Sequence, residues 1–471
     1  MGVRVRTQRH GGGFAVRLAG WVLLGVCWSA APLLAEGVAA GDPFAVPPGL
    51  RTQVEFWTSI FGEYSSRQVV IHDTLHLDRI YSVVDLRDLV ADGLSDAQIE
   101  VYQREQVAEE KERVRAILVR LHQVGADADD LTPEARKIAA LFATDAAPQK
   151  FLAAAGEDRV RAQAGLRERF ATGVEISRRY LPEMEAIFRR EGLPLELTRL
   201  PFVESCFNVR AYSKVGAAGI WQFMPATARL YMRVDDTVDE RRDPIVATRA
   251  AARHLRRDYE VLGTWPLAVS AYNHGRAGMA RAVASVGTTD LVQIIRHYDG
   301  PSFKFASRNF YAEFLAALEV ERYAARYFGT LHPQVPVMTD SVFVPTAAPL
   351  PTLARMADVS PDTLASLNPA LAPDVVEGRV PVPSGYLLRV PEGVAAEVEL
   401  RYARAMAVER PKPKPKAKVS GSYVRHRVQR GQTLAGIARR YGTSVAAIKR
   451  HNRLGPSARV RSGQSLLIPT G

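Results

Sequence analysis

The chain has 471 residues, of which 47% are hydrophobic and 24% charged, and its formal net charge is +12. This balance excludes a disordered or fibrous protein, and the length exceeds what one ordinary hydrophobic core holds, so several domains are expected. The two cysteines, Cys27 and Cys206, exclude a disulfide-rich scaffold.

The first 40 residues have the pattern of a secretory signal peptide. Arginines precede an apolar stretch from Leu18 to Leu34, and small residues follow up to Ala40. An uncleaved membrane anchor is the alternative, because the apolar stretch is near the lower length limit for a span. Cys27 matches a lipoprotein acylation box only loosely. In either case we expect export to the periplasm or cell envelope, with this segment as the part that could associate with a membrane.

Residues 46–170 are predicted to form a mostly helical N-terminal region. The region opens with short β-prone runs such as residues 68–71, and a long amphipathic helix is expected from Leu94 to about Gln123. Ser95 stands at the start of this helix and is a favoured N-cap residue.

Residues 180–330 are predicted to form an all-α domain. One helix is expected to open at Pro182, a residue type favoured in the first helical turn, and to end at Arg190. Pro201 is expected to bend a later helix, because it cannot donate a hydrogen bond to the carbonyl four residues earlier. Since the pattern is essentially helical from residue 90 onward in this part of the chain, the predicted fold class is mainly α.

The chain changes in composition after residue 335 and again before its end. Residues 408–422 alternate proline with lysine, which predicts an extended, self-repelling linker. From Pro411 to the last residue the chain carries 14 lysines and arginines and no acidic residue. Such a tail is attracted to polyanions. Because export is expected, we predict an anionic cell-envelope partner and no nucleic acid.

Residues 424–470 predict a small α+β unit with the order βααβ. The unit contains a Gly-x-Thr-Leu turn, an amphipathic helix, an asparagine and a closing Gly-x-x-Leu-x-Ile-Pro. These features, in this register, resemble a LysM domain. The resemblance implies glycan binding through Gly431, Thr433, Leu434 and Asn452.

Two features depart from the LysM pattern. Gln432 stands where the family usually has aspartate, so a helix-capping carboxylate is missing. Residues 341–391 repeat the pattern faintly, with Ser360 and Asn368 in corresponding places, but they lack the Gly-x-Thr-Leu turn. We predict a degenerate LysM-like module there, with a non-binding spacer as the alternative.

The most informative segment runs from Leu193 to Ala228. Within it, Glu204 is surrounded in sequence by apolar residues, including Phe202, Val203 and Phe207. Apolar neighbours desolvate a carboxyl and raise its pKa, as a general acid at neutral pH requires. Judged without its flanking motifs, the same glutamate is better explained as a surface residue at a frayed helix end.

The flanking motifs carry a family resemblance. Glu204-Ser205, the run from Gly216 to Ala228 and Ala271-Tyr272-Asn273 resemble the catalytic domain of soluble lytic transglycosylases, glycoside hydrolase family 23. The resemblance implies a lysozyme-like domain over 180–330 with Glu204 as its catalytic residue. The residues that it assigns to substrate binding are Ser213, which would orient the Glu204 carboxyl, Gln222, Met224, Tyr272, Asn273 and Tyr311.

Tyr311 is assigned with an open alternative. The family usually closes its site with a tyrosine in an Arg-x-Tyr-Val motif, and the residue that aligns with this tyrosine is Phe310. Tyr311 is the candidate to replace it, or it faces elsewhere.

A second catalytic carboxylate is not evident from the sequence. Ordinary glycosidases use two, but the acidic residues between Asp235 and Asp243 are interleaved with arginines and predict a salt-bridged loop. The family route therefore fits. Glu204 protonates the β-1,4 glycosidic oxygen between MurNAc and GlcNAc, and the N-acetyl group of the substrate stabilises C1. Glu204 then takes the proton of the attacking C6 hydroxyl, which leaves a 1,6-anhydro end.

The predicted function is a peptidoglycan lytic transglycosylase that needs no cofactor or metal. Two alternatives remain open: a hydrolytic muramidase on the same fold, and a non-catalytic peptidoglycan-binding protein.

Overall fold

The computed structural model describes residues 42–91, 93–409, 422–455, 457 and 459–470. The predicted signal peptide and most of the predicted 408–422 linker lie outside these residues. The chain divides into two compact units, one containing residues up to Thr227 together with Pro244–Val335, and the other containing Ala228–Asp243 together with residues from Pro336 onward.

The described part of the chain from residue 42 to residue 328 is mainly helical. Its α-helices are α1 (Arg51–Gly62), α2 (Arg87–Ala91), α3 (Asp96–Val124), α4 (Pro133–Ala140), α5 (Lys150–Ala154), α6 (Arg167–Arg190), α7 (Leu200–Ser205), α8 (Pro225–Ala228), α9 (Pro244–Leu262), α10 (Trp265–His274), α11 (Arg276–Val286), α12 (Leu291–His297), α13 (Phe305–Arg322) and α14 (Ala324–Phe328). Short 3₁₀ helices span Pro48–Leu50, Leu195–Arg199 and Glu240–Arg242.

A three-stranded antiparallel sheet stands near the N-terminus. Its strands are β1 (Gln68–Asp73), β2 (Ile80–Asp85) and β3 (Val160–Ala164), and β1 is the central strand. Helix α3 begins after Ser95, whose side chain and that of Gln98 cap each other's backbone N–H groups. The predicted long helix and its N-cap are therefore confirmed, whereas β3 interrupts the stretch after residue 90 that was expected to be essentially helical.

Two predictions about proline were wrong. Helix α6 runs unbroken from Arg167 to Arg190 with Pro182 inside it, because the apolar face that begins at Phe170 continues past the proline and stays buried. Packing here outweighs the hydrogen bond that proline removes. Pro201 lies in the first turn of α7, directly after a 3₁₀ helix, so it starts a helix and does not bend one.

The N-terminal region packs directly on the predicted catalytic region. Helix α1 lies along α13, where the Trp57 Nε1–H donates a hydrogen bond to Asn309 Oδ1 at 3.4 Å. The rings of Phe61 on α1 and Phe170 on α6 are 5.2 Å apart. Residues 46–170 therefore belong to one compact unit with residues 180–227 and 244–330.

The second unit contains two antiparallel strand pairs with helices between the strands. Its elements are β4 (Thr339–Phe343), α15 (Leu350–Met356), α16 (Pro361–Leu367), α17 (Pro373–Val376), β5 (Leu387–Pro391), α18 (Ala395–Glu409), β6 (Ser422–Arg427), α19 (Leu434–Arg440), α20 (Val445–His451) and β7 (Ser465–Thr470). Strand β4 pairs with β5 and strand β6 pairs with β7. The mainly α fold class, with small α+β modules after residue 335, is confirmed.

The two strand pairs share a hydrogen-bonded asparagine. Asn452 ends α20, donates to the carbonyls of Ile448 and Leu467 at 2.8 and 2.7 Å, and accepts from the Leu467 N–H at 2.7 Å. Asn368 ends α16 and makes the same three bonds, at 2.8 Å each, to Leu364 and Arg389. In each case the amide ties the end of a helix to the last strand of its own pair.

Candidate active site

Helix α7 ends immediately after Glu204. Cys206 and Phe207 both adopt left-handed backbone conformations, with φ of 49° and 56°, which turn the chain sharply away from the helix. The Ser205 hydroxyl donates to the carbonyl of Ile220 at 2.9 Å. The last turn of α7 is thereby tied to the loop that carries the predicted substrate-binding residues.

The Glu204 carboxyl is partly exposed and makes no hydrogen bond within the described residues. Burial, followed by the charge of Glu313 on α13, raises the pKa of this carboxyl to about 8. A carboxyl that is protonated at neutral pH and has no protein partner can give its proton to a bound ligand.

The loop from Ser213 to Met224 is organised by its own backbone. The Ser213 hydroxyl accepts from the Ala217 N–H at 2.9 Å, so it holds this turn and does not hydrogen-bond Glu204. The structure shows no hydrogen bond between Ser213 and Glu204, and the orienting role of Ser213 stays a prediction. Gln222 has a left-handed φ of 47°, and its side-chain N–H donates to the carbonyl of Gly219 at 2.8 Å. Met224 is exposed.

Helix α10 supplies two polar groups. The Tyr272 hydroxyl donates to the Trp221 carbonyl at 2.8 Å. Burial, followed by the charges of Glu204 and Asp258, raises its pKa well above the usual value, so this tyrosine lies close to Glu204. Asn273 is exposed and its Oδ1 accepts from the Ser307 hydroxyl at 3.0 Å. The fold therefore brings Glu204, Gln222 and Tyr272 together through α7, the following loop and α10.

Tyr311 does not take part in this site. Its side chain is 1% exposed, and burial followed by the charge of Asp42 raises its pKa. It therefore faces the N-terminal segment at Asp42 and cannot reach a saccharide. Phe310 is also buried. Of the two alternatives left open for Tyr311, the structure favours the one in which its side chain faces elsewhere, because that side chain is buried near Asp42.

Glu313 was missed by the sequence analysis. It lies on α13 one turn after Asn309, and it is partly exposed like Glu204. Burial raises its pKa to about 8, while the charge of Arg161 on β3 lowers it. The available signal was a single acidic residue inside the apolar run Phe310–Leu318, where an unpaired charge is costly and calls for an explanation.

The acidic residues between 235 and 243 serve the structure of the second unit. Asp235 pairs with Arg233 at 2.5 Å and Asp239 pairs with Arg241 at 2.7 Å. Asp243 accepts from the Arg389 guanidinium at 2.8 Å. The predicted salt-bridged loop is confirmed.

The residues predicted to bind glycan in the C-terminal module have structural roles of their own. Gly431 has a φ of 86°, which favours glycine, and the Thr433 hydroxyl caps α19 by accepting from the Gly436 N–H at 3.2 Å. Leu434 is part of the core and Asn452 is used by the three bonds above. Gln432 accepts from the Gln429 N–H at 3.0 Å. The missing carboxylate is thus not needed as a cap.

Among the described residues, no cluster of three or more histidine, cysteine, aspartate or glutamate side chains could hold a metal ion. Within the same part of the chain, no helix is both long and apolar enough to cross a membrane.

Comparison with known families identifies two segments. Residues 184–294 match the transglycosylase SLT domain, and this segment includes Glu204, Gln222 and Tyr272. Residues 426–469 match the LysM domain. The chain contains an SLT domain and a LysM domain. Both resemblances found in the sequence are thereby confirmed.

The chain also resembles whole proteins of known name. It is 28% identical over 296 residues to the membrane-bound lytic murein transglycosylase D of two Escherichia coli strains, which covers 60% of this chain and 62% of each relative. It is 34% identical over 111 residues to a putative tributyltin chloride resistance protein of Alteromonas, which covers 23% of this chain and 53% of that protein. The chain thus spans less than two thirds of the length of these relatives.

A solved structure of an inactive mutant of the lytic transglycosylase Slt from Pseudomonas aeruginosa matches with a TM-score of 0.28. The sequence identity is 17%, and the match covers 60% of this chain and 44% of that one.

Proposed function

We propose that the protein is a peptidoglycan lytic transglycosylase that cleaves the β-1,4 bond between MurNAc and GlcNAc and is held on the cell wall by its LysM domain. The observation that carries this proposal is the Glu204 carboxyl. It is partly exposed, has a pKa raised to about 8 by burial, and has no hydrogen-bond partner in the described residues. The SLT match over residues 184–294 supports the same site.

In the proposed reaction, Glu204 is the one group that carries the proton, first as an acid and then as a base. Glu204 donates its proton to the glycosidic oxygen as the bond to C1 breaks and the bonding electrons stay with the leaving oxygen. The N-acetyl group of the substrate stabilises C1. The C6 hydroxyl oxygen then bonds to C1 and its proton returns to Glu204, which leaves a 1,6-anhydro product and consumes no water. The side-chain oxygen of Gln222 can accept a hydrogen bond from the saccharide. Met224, in the same loop, and Asn273, on α10, are both exposed.

The domain arrangement follows the same proposal. A signal peptide over 1–40 exports the chain to the periplasm or cell envelope, and the 408–422 linker joins the LysM domain at 424–470 to the rest. The asparagine of α16 and the antiparallel pair of β4 and β5, with α15, α16 and α17 between these strands, support a degenerate LysM-like module at 341–391. The 14 basic residues from Pro411 onward favour an anionic wall.

The direct test is E204Q. This change keeps the size of the side chain but removes the proton that is transferred, so we expect release of soluble muropeptides from purified sacculi to fall by about three orders of magnitude or more. Binding to sacculi in a sedimentation assay should persist. E191Q is the matched control, because Glu191 pairs with Arg256 through partly exposed side chains outside this site, so the change should leave release unchanged. Retained release in E204Q would refute the proposal.

Hydrolysis is the second candidate, because Glu313 gives the site a second carboxyl. Most glycoside hydrolases use two carboxyl groups that flank the glycosidic bond. A muramidase would produce reducing ends that contain one water more than anhydro ends, so mass spectrometry of the digest separates the two reactions.

A further inference from the structure

We propose that Ser307 and His274 are positioning residues of the active site, which turn the side-chain amide of Asn273 so that it offers only N–H groups to the glycan. This inference rests on the proposed function and deepens it, because it states what Asn273 recognises: an acceptor oxygen of the saccharide, either a hydroxyl or an acetamido carbonyl. Ser307 and His274 themselves need not touch the substrate.

The first observation is a hydrogen bond between two helices. The Ser307 hydroxyl, in the first turn of α13, donates to Asn273 Oδ1 near the end of α10 at 3.0 Å. Ser307 is buried, whereas Asn273 is exposed. The Asn273 Nδ2 group makes no hydrogen bond within the described residues. Since the amide oxygen is already used, the N–H groups are the part of the amide that can bind a ligand.

The second observation is a donor behind Ser307. His274 Nδ1 lies 3.2 Å from the Ser307 oxygen. A hydroxyl has one hydrogen, and that of Ser307 points to Asn273, so Nδ1 must carry the hydrogen of its own bond. Burial, followed by the charge of Arg281, lowers the pKa of His274, so the ring is neutral near pH 7. The three side chains thus donate in sequence, from His274 through Ser307 to Asn273.

The third observation is that packing holds the His274 ring in place. The ring stands edge-on to the buried Phe303, with the two ring centres 5.0 Å apart. Gly278 on α11 lies against the same ring, because an added Cβ would stand 2.5 Å from Cδ2 and 2.7 Å from Nε2. Glycine at this position leaves the space that the ring occupies. His274 therefore has little freedom to turn away from Ser307.

The start of α13 is fixed by other contacts as well. The Arg308 guanidinium donates to the carbonyls of Ile295 and Tyr298 at 2.8 and 2.9 Å. We therefore expect α13 to stay in place when the Ser307 hydroxyl is removed. What the removal changes is the orientation of the Asn273 amide, since its oxygen then loses the donor that holds it.

The orientation is tested at Asn273 itself. N273A should lower kcat/KM on soluble glycan strands about tenfold. N273D keeps the size of the side chain and an oxygen for Ser307 but replaces the N–H groups with a second oxygen, so it should lose at least as much. Higher activity in N273D than in N273A would show that the outward atom is an acceptor, which overturns the proposal. No loss in N273A would overturn it too.

The part played by Ser307 is tested by coupling. S307A should lower kcat/KM about tenfold, and S307T, which keeps the hydroxyl, should restore it. In the N273A background, S307A should cost nothing further, because Ser307 acts through Asn273. S270A is the matched control, since the buried Ser270 hydroxyl on α10 donates to the carbonyl of Pro266 at 2.8 Å, and it should leave activity unchanged. Losses that add in the double variant would overturn the proposal.

A readout that does not depend on activity separates this proposal from the proposed function. ¹⁵N NMR of protein labelled at histidine shows which ring nitrogen of His274 is protonated at neutral pH, with the resonances assigned by their loss in H274Q. A hydrogen on Nδ1 supports the proposal even if no transglycosylase activity is found. A hydrogen on Nε2 alone overturns it, even if the enzyme is active. The same measurement decides the matter if S307A does not fold.

Discussion

At the scale of single residues, the site depends on a carboxyl that the fold makes costly to ionise. Glu204 follows Val203 in a helix whose first residues are buried, and its own carboxyl gains no hydrogen bond from the described residues. Burial therefore keeps the proton in place near neutral pH. The same property that suits an acid also ties the stability of the protein to pH.

We predict that E204Q stabilises the folded protein at alkaline pH. The pKa of Glu204 is raised to about 8 in the folded state from 4.5, so the folded protein holds a proton that the unfolded chain releases between these values. The contribution of the Glu204 proton to the free energy of unfolding is thus fully present below about pH 4.5. This contribution is lost as the pH rises through 8. Glutamine has no proton to lose. Thermal unfolding of E204Q should therefore occur a few degrees above wild type at pH 8.5.

The same comparison at pH 4 supplies the control. Both forms are then largely neutral at this position, so their unfolding temperatures should nearly coincide. Coincident temperatures at pH 8.5 as well would contradict the raised pKa of Glu204.

The sequence was sufficient to predict Glu204 as the catalytic residue, but it was insufficient to predict the contacts around Glu204. The apolar neighbours of Glu204 along the chain predicted its raised pKa. The turn in which Ser213 bonds to Ala217, in contrast, depends on how the loop closes. The choice between Tyr311 and Glu313 depends on which side of α13 meets α7, and this is set by tertiary packing that no local pattern contains.

At the scale of elements, α6 holds the turn that follows Glu204. Gly173 lies on α6 against this turn, and an added Cβ would stand 2.6 Å from the carbonyl oxygen of Cys206. Backbone cannot yield as a flexible side chain can. The close approach of α6 to the turn therefore requires glycine at this position.

We predict that Gly173→Ala lowers both stability and activity. The clash should cost about 1–3 kcal/mol of the free energy of unfolding and displace the end of α7, so that turnover of sacculi falls. Gly436→Ala is the matched control, because its Cβ would meet Thr433 Oγ1 at an ordinary 3.6 Å. Denaturant unfolding and muropeptide release measure the two effects. Wild-type values for Gly173→Ala would show that α6 does not brace this turn.

We also predict that Asn452→Ala weakens wall binding through loss of folding. The change removes three hydrogen bonds, two of which join the end of α20 to β7, and should cost the module about 1–3 kcal/mol. Binding to sacculi should decrease, while cleavage of soluble glycan strands should not. Asn368→Ala removes the corresponding bonds at α16 and should leave the LysM domain and its binding intact. Equal loss of binding in both variants would contradict separate modules.

The elements that could be predicted are those with local signals. Helix α3 has its cap at Ser95 and a regular apolar stripe, so both its start and its length were expected. Strand β3 pairs with a strand that lies far earlier in the chain, and Pro182 is accommodated only because α6 is buried on one face. Neither the pairing of β3 nor the position of Pro182 inside a helix can be predicted from neighbouring residues.

At the scale of the whole molecule, charge is distributed unevenly. The net charge is +12, yet the last 61 residues carry 14 basic and no acidic side chains. Catalytic and wall-binding functions are thus assigned to parts of the chain with different electrostatics.

We predict that removal of residues 411–471 separates binding from cleavage. The truncated protein should bind sacculi at least about tenfold more weakly at low salt, because it loses both the LysM domain and its positive charge. The difference should become smaller as salt screens the charges. Cleavage of soluble glycan strands should remain. A sedimentation assay over a salt series measures this, and undiminished binding would contradict a wall-anchoring tail.

In the proposed reaction, Glu204 cleaves glycan strands without consuming water. Mass spectrometry of muropeptides released from purified sacculi by the wild-type protein and by E204Q tests it most directly. We expect 1,6-anhydro ends from the wild type and no release by E204Q. Reducing ends from the wild type, one water heavier, or release that persists in E204Q, would contradict this reaction.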